Sequence, residues 1–158
     1  MNVLLSIKPE YAEKILEGKK KYEFRISIFK RNDIEKVFIY SCSPISKIIA
    51  SFEIEEILKA SPEMIWKQCQ KYGGISKKDF FKYFKNADSA YAIKICDIDN
   101  FQEPIDPYYI FQNFKPPQSF YYLPLDFIQN QLGAINTNLV KPSLSTESMP
   151  GISSMGHL

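Results

Sequence analysis

The sequence predicts an α+β domain: a small mixed or antiparallel β-barrel of about five to six strands, with short helices plugging its ends. Three observations predict it. Strand-like segments outnumber helical ones, and they are short and amphipathic. Two helical stretches interrupt the strand order at two places rather than alternating with every strand, which argues against a doubly wound parallel sheet. The chain of 158 residues, 45% hydrophobic and 15% aromatic, has enough apolar material for one domain core.

The elements follow in order. Asn2 to Lys8 is a short apolar run and reads as a first strand. Pro9 suits the first position of a helix, Tyr11, Ala12, Ile15 and Leu16 keep helical spacing, and Gly18 suits its C-terminal cap, so residues 9–17 are expected to be helical. In KKKYEFRI, Tyr22, Phe24 and Ile26 alternate with Lys21, Glu23 and Arg25, the two-residue period of a half-buried strand. Lys30 to Asp33 reads as a polar turn. Residues 36–42 and 47–58 read as two further strands, separated at Ser43-Pro44. Ser61-Pro62-Glu63 is a helix start, with Ile65, Trp66, Cys69 and Tyr72 expected on one face and Gly73-Gly74 as terminator. Ser76 with Asp79 opens a second short helix expected to bury Phe80, Phe81 and Phe84. Residues 90–98 form the next strand, 97–107 an acidic and Pro-broken stretch, 108–114 one or two helical turns, 119–123 a closing strand and 124–131 a final helical turn or two.

Residues 1–132 are read as the domain. Residues 133–158 are rich in Ser, Gly, Pro and Asn, carry only Lys141 and Glu147 as charged side chains, and lack aromatics altogether. Such a segment cannot bury enough apolar surface to offset its ordering entropy, so a flexible C-terminal tail is expected.

Composition excludes several chemistries. The single histidine, His157, is the penultimate residue, which argues against a Ser-His-Asp triad and a histidine metal cluster. Cys42, Cys69 and Cys96 are odd in number, far apart and without a Cys-x-x-Cys pair, so buried free thiols are expected rather than a metal site or disulfide framework. Neither GxGxxG nor GxxxxGK[ST] occurs, and no cofactor is expected. Residues 1–8 do not read as a signal peptide and no apolar run is long enough to span a membrane, so a cytoplasmic protein is expected.

Charge is uneven. Residues 1–31 carry eight Lys and Arg against four Glu, whereas from Asp97 onward two Lys face six acids. A basic N-terminal third suits phosphate, although a solvated face answered by an acidic patch is the plainer reading.

The informative segment is Gly18-Lys19-Lys20-Lys21-Tyr22-Glu23-Phe24-Arg25. Lys21, Glu23 and Arg25 are expected on one side of the strand, with Lys20 at its start. Arg offers a fork for phosphate or a base edge, Glu accepts from an exocyclic amine, and Lys supplies a point charge. Taken by itself, such a strand is more often a solvated sheet face.

GKKKYEFR matches the pattern GxKxxExR through Gly18, Lys20, Glu23 and Arg25, and in this the chain resembles the ASCH family, a branch of the PUA-like β-barrels. NVLLSIKP followed by a short helix ending in Gly resembles the family's opening, and Pro116 to Leu123 its closing element, so the resemblance covers roughly residues 1–123. It implies a cleft beside the first helix that binds single-stranded RNA or a nucleotide. Lys20, Glu23 and Arg25 become the candidate contacts, joined by Lys21 and Tyr22, with Gly18 as a structural turn. Tyr40, Tyr121 and Tyr122 are further candidates for stacking on bases, set against plain core packing for each.

Some branches of the family are enzymes, among them an amidohydrolase of acetylated cytidine nucleosides and a ribonuclease. The amidohydrolase has a Thr nucleophile where this chain has Glu23, and a catalytic Glu roughly where this chain has Gln70-Lys71, so the resemblance to that branch is partial. Two functional classes follow. One is a binding module, acting as a regulator or RNA-processing accessory factor. The alternative is a nucleoside or RNA hydrolase with Glu23 as base and Lys20 or Arg25 stabilising an oxyanion. A carboxylate flanked by cations is a weak proton acceptor, which favours binding. Glu63 and Asp79, the nearest alternative acids, are explained by helix capping, and the Glu53, Glu55 and Glu56 cluster by a solvated edge. A third reading is a protein-interaction adaptor using the tail and Tyr108 to Phe111. The discriminator is whether Lys20, Glu23 and Arg25 converge on a concave pocket.

Overall fold

The computed structural model describes residues 1–126 of the chain. The expected tail, the domain limit at residue 132, most of the helical turn expected at 124–131, and His157 lie outside the described residues. Six strands, β1 (Asn2–Ile7), β2 (Tyr22–Arg25), β3 (Val37–Ser41), β4 (Lys47–Ala60), β5 (Ala90–Ile105) and β6 (Phe120–Leu123), form one sheet in the order β2-β5-β4-β3-β1-β6. The pair β1–β3 is parallel and the other four pairings are antiparallel. Helices α1 (Pro9–Leu16), α2 (Pro62–Cys69) and α3 (Lys77–Tyr83) complete the fold, with short 3₁₀ turns at Gln70–Tyr72 and Pro107–Tyr109.

The sheet is curled. β2 and β1 stand four places apart in the strand order, yet the Arg25 guanidinium of β2 donates to the Ser6 carbonyl of β1 at 2.8 Å. The segment after β2 likewise reaches β6, where the Tyr122 hydroxyl accepts from the Lys30 amide at 3.0 Å. Only a sheet rolled toward closure brings such strands into contact, which gives the small mixed barrel that the strand pattern predicts.

Three apolar clusters hold the roll. Val3, Leu5, Ile7, Ile39, Phe52 and Ile93 fill the inside of the curl, closed by Ala12 and Ile15 of α1. On the other face Leu4, Phe38, Tyr40 and Tyr121 pack under Phe114. The third cluster packs Ile65 and Cys69 of α2 and Phe80 and Phe84 of α3 onto Phe24 of β2 and Ala90 and Ala92 of β5. Both helices are inserted between β4 and β5, whose long ribbon pairs Ala60 with Ala90 at its helical end. They start where expected: the Ser61 hydroxyl accepts from Met64 N at 3.3 Å, and the Ser76 hydroxyl from Asp79 N at 3.1 Å.

Three elements depart from expectation. β5 runs on to Ile105 through the acidic stretch, because its pairing with β4 absorbs register shifts and Asp97 takes a left-handed φ of 46°. α2 stops at Cys69, so Tyr72 leaves the buried face and is exposed. Trp66 and Phe81 are partly rather than fully buried at the edge of the third cluster. None of the described helices is long and apolar enough to cross a membrane.

Candidate functional site

The turn between α1 and β2 places the motif. Gly18, at a φ of +74°, reverses the chain, and the amides of Lys19 and Lys20 both donate to the Lys14 carbonyl, at 2.9 and 3.0 Å. The reversal drives Lys20 beneath the link between α2 and α3. There three consecutive carbonyls are taken up by the motif and its helix: Tyr72 by the Lys21 amide at 2.8 Å, Gly73 by Lys20 Nζ at 2.6 Å, and Gly74 by Lys14 Nζ at 3.1 Å. Glycine is required at position 74. Its φ is +63°, and a Cβ there would stand 2.6 Å from Lys20 Cβ. The Lys20 ammonium also lies 4.7 Å from the centre of the Phe24 ring and 5.4 Å from that of Tyr11. Burial pushes its pKa down to about 8; Glu23 opposes that shift, while the positive charges of Arg25 and Lys14 add to it.

β2 buries both of its faces. Tyr22 and Phe24 pack toward the helices, whereas Glu23 is paired in register with Ile93, which belongs to the inside of the curl. Glu23 and Arg25 are therefore turned inward, with side chains 5% and 3% exposed. The alternating pattern predicts a half-buried strand. The sheet curl and the two inserted helices cover the second face. Arg25 Nε is 3.3 Å from Glu23 Oε1, within ion-pair distance but not aligned for a hydrogen bond. Glu23 Oε2, Arg25 Nε and Nη1, and Ser27 Oγ are buried without a hydrogen-bond partner. Buried polar atoms of this kind are rare and call for an explanation.

A pocket of about 440 Å³ opens over this arrangement. Lys20, Glu23 and Phe24 form part of its wall, with Tyr11, Asp79 and Tyr83 among the others, and Lys8 and Lys82 contribute two further cations. Arg25 does not line it, and stands beside Glu23 with its fork spent partly on Ser6 O. Lys21 and Tyr22 line a different groove of about 490 Å³, together with Gly18 and Tyr72. The structure thus brings Lys20 and Glu23 together on one concavity, puts Arg25 next to Glu23, and turns Lys21 and Tyr22 elsewhere. Of the other tyrosines named for stacking, Tyr40 and Tyr121 are core residues, and the Tyr122 hydroxyl accepts from the Lys30 amide.

Several lining residues carry no signal in the motif. Asp79 sits in the first turn of α3, where Ser76 is the cap and accepts from the Asp79 amide, and it lines the pocket as well. Tyr11 reads as an apolar helix position, and nothing in the sequence singles out Tyr83. In the structure Tyr83 accepts from Ile26 N at 3.3 Å, and burial raises the pKa of both phenols. Gly73-Gly74 reads as a helix terminator, and the pair of glycines so close together was the one available hint of a tight approach. Chemically, the pocket offers a buried cation of reduced pKa, a carboxylate oxygen with no partner, and an aromatic ring within a space of nucleotide size.

Comparison with known proteins adds to this geometry. The profile of the ASCH domain matches residues 5–99. An ASCH domain-containing ribonuclease of Zymomonas mobilis is 29% identical over 126 residues, covering 76% of this chain and 82% of that protein. The large ribosomal subunit protein uL22 of Ureaplasma parvum is 25% identical over 121 residues, 77% of this chain but 39% of that protein. The crystal structure of ASCH from Zymomonas mobilis superposes with a TM-score of 0.77 at 27% identity, covering 84% of this chain and 94% of that one.

Proposed function

Because the chain belongs to the ASCH domain family, we propose that it is an RNA- or nucleotide-recognition module whose pocket is walled by Lys20 and Glu23. The observation that carries this reading is the unpartnered Glu23 Oε2, buried at the wall of the pocket beside a buried cation. A buried carboxylate oxygen left empty costs about 1–3 kcal/mol or more, which a ligand donor recovers on binding. An exocyclic amine of a nucleobase is such a donor. Lys20, with Lys8 and Lys82, answers the phosphate, and the Tyr11 ring flanks the base. Arg25 acts from behind, its Nε 3.3 Å from Glu23 Oε1 holding the carboxylate in place. The ribonuclease relative supports an RNA ligand for this pocket.

Lys20 favours a second reading on the same site, RNA cleavage. An amine with a pKa of about 8 has a sizeable neutral fraction near neutrality and serves as a general base. In that reaction Lys20 Nζ takes the proton of a ribose 2′-hydroxyl and the 2′-oxygen bonds to the adjacent phosphorus. The 5′-oxygen then leaves with a proton from water, yielding a 2′,3′-cyclic phosphate.

The test is a titration of labelled short single-stranded RNAs at fixed salt against wild type, Lys20→Met and Glu23→Gln, with product analysis of each mixture. Saturable binding that falls at least tenfold in both variants, with RNA intact, supports recognition. Cyclic-phosphate product that disappears in Lys20→Met supports cleavage. Binding that the variants leave unchanged removes the pocket from either reading.

A further inference from the structure

The groove beside the motif has features that recognition in the first pocket does not use. Lys20 lines both concavities, and the link between α2 and α3 is shared between them: Tyr72 lines the groove and Ile75 the pocket. Between these two residues, Gly73 and Gly74 rest on Lys20. Tyr72 is 40% exposed, and two lysines stand over its ring, Lys21 at 4.3 Å and Lys71 at 5.4 Å from the centre. Neither lysine makes an ion pair among the described residues, whereas Lys94, on the groove wall, is bound to Glu55 at 2.8 Å. Both ammonium groups are drawn to one exposed ring without an ion-pair partner of their own among the described residues, so an anion bound beside that ring is attracted by both. The exposed part of the same ring is open to a planar group, and Tyr22 lies along the same groove.

We infer that this groove is a second nucleotide subsite, taking the residue next to the one held in the first pocket. Its phosphate is met by Lys21 and Lys71, and its base stacks on Tyr72. The inference rests on the nucleotide reading of the first pocket and extends it from one residue to a strand. Stacking on an aromatic ring is tolerant of base identity, so the groove contributes affinity and direction rather than sequence preference. Specificity stays with the carboxylate in the first pocket. Asp97 and the paired Glu55 line the groove as well, which disfavours a second phosphate there and sets its depth at one residue.

The experiment compares a 5′-labelled mononucleotide, a dinucleotide and a pentanucleotide on wild type, Tyr72→Ala and the Lys21→Gln, Lys71→Gln double variant. All are measured at one low salt concentration after thermal melting shows the variants folded. In wild type the dinucleotide binds at least tenfold more tightly than the mononucleotide, and the pentanucleotide adds little more. Both variants lose that gain and keep mononucleotide affinity within about twofold. Equal affinity for mononucleotide and dinucleotide in wild type overturns the second subsite while leaving the first pocket standing. So does a gain on lengthening that survives in the variants. No binding of any of the three overturns both readings.

Discussion

Burial beneath Gly73 brings the Lys20 ammonium down to a pKa of about 8, and its only hydrogen-bond partner among the described residues is a neutral carbonyl. The fold therefore holds the Lys20 proton less tightly than the unfolded chain does. It follows that Lys20 makes the protein more stable as pH rises from about 8 through the ordinary lysine range near 10.5. Lys20→Met removes that dependence, and chemical denaturation at pH 7.5 and 10 measures it. On the proposed nucleotide reading, phosphate binding runs the other way, because the charge that would meet the anion is lost as pH rises past about 8. Affinity for a mononucleotide is expected to fall at least threefold between pH 7 and 9.5, and to be flat in Lys20→Met. Arg25 presents a different case. Its removal strands the buried Glu23 carboxylate, so Arg25→Ala is expected to cost about 3–5 kcal/mol of stability, whereas the Glu23→Gln, Arg25→Met pair is expected to recover most of that loss. Equilibrium unfolding of these two variants against wild type checks both outcomes.

At the level of elements, the link between α2 and α3 governs the site because three of its carbonyls anchor it to α1 and β2. Gly74→Ala forces a side chain into a left-handed backbone and onto Lys20 Cβ, so it is expected to cost about 2 kcal/mol or more. It should also weaken nucleotide binding, which a melt and a titration on the same sample separate. Much of the element order was legible in the sequence, since Ser61, Ser76, Pro9 and Gly18 are local signals that the structure uses locally. The motif itself was legible as residues but not as geometry. The alternation in β2 tells which side chains share a face, but it does not tell that the sheet curls and turns Glu23 and Arg25 inward. Lys21, one residue before the strand begins, follows the backbone of the turn and its pairing with Tyr72 rather than the strand period. Tyr11, Asp79 and Tyr83 reach the pocket from two helices, and only tertiary packing brings them together.

For the whole molecule, the curl of the sheet is what makes a site. A flat sheet in the same strand order would leave β2 far from β1, and Arg25 could not reach Ser6. Residues of the N-terminal third, Lys8 and Lys20 together with Glu10 and Glu23, thereby become one wall of a pocket whose other wall is α3. RNA affinity should accordingly fall with added salt, with a slope that reflects only the few phosphates a short strand presents here.

On the proposed reading Lys20 faces the ligand as a buried cation, and titrating that one amine decides whether it does. Lysine ¹³Cε-labelled protein, followed by NMR from pH 6 to 11 with and without a saturating mononucleotide, reports Lys20 by its absence in Lys20→Met. The expected midpoint lies near 8 in the free protein and moves upward when the phosphate binds. A midpoint near 10.5 in the free protein, or one that a bound nucleotide leaves in place, would contradict that reading.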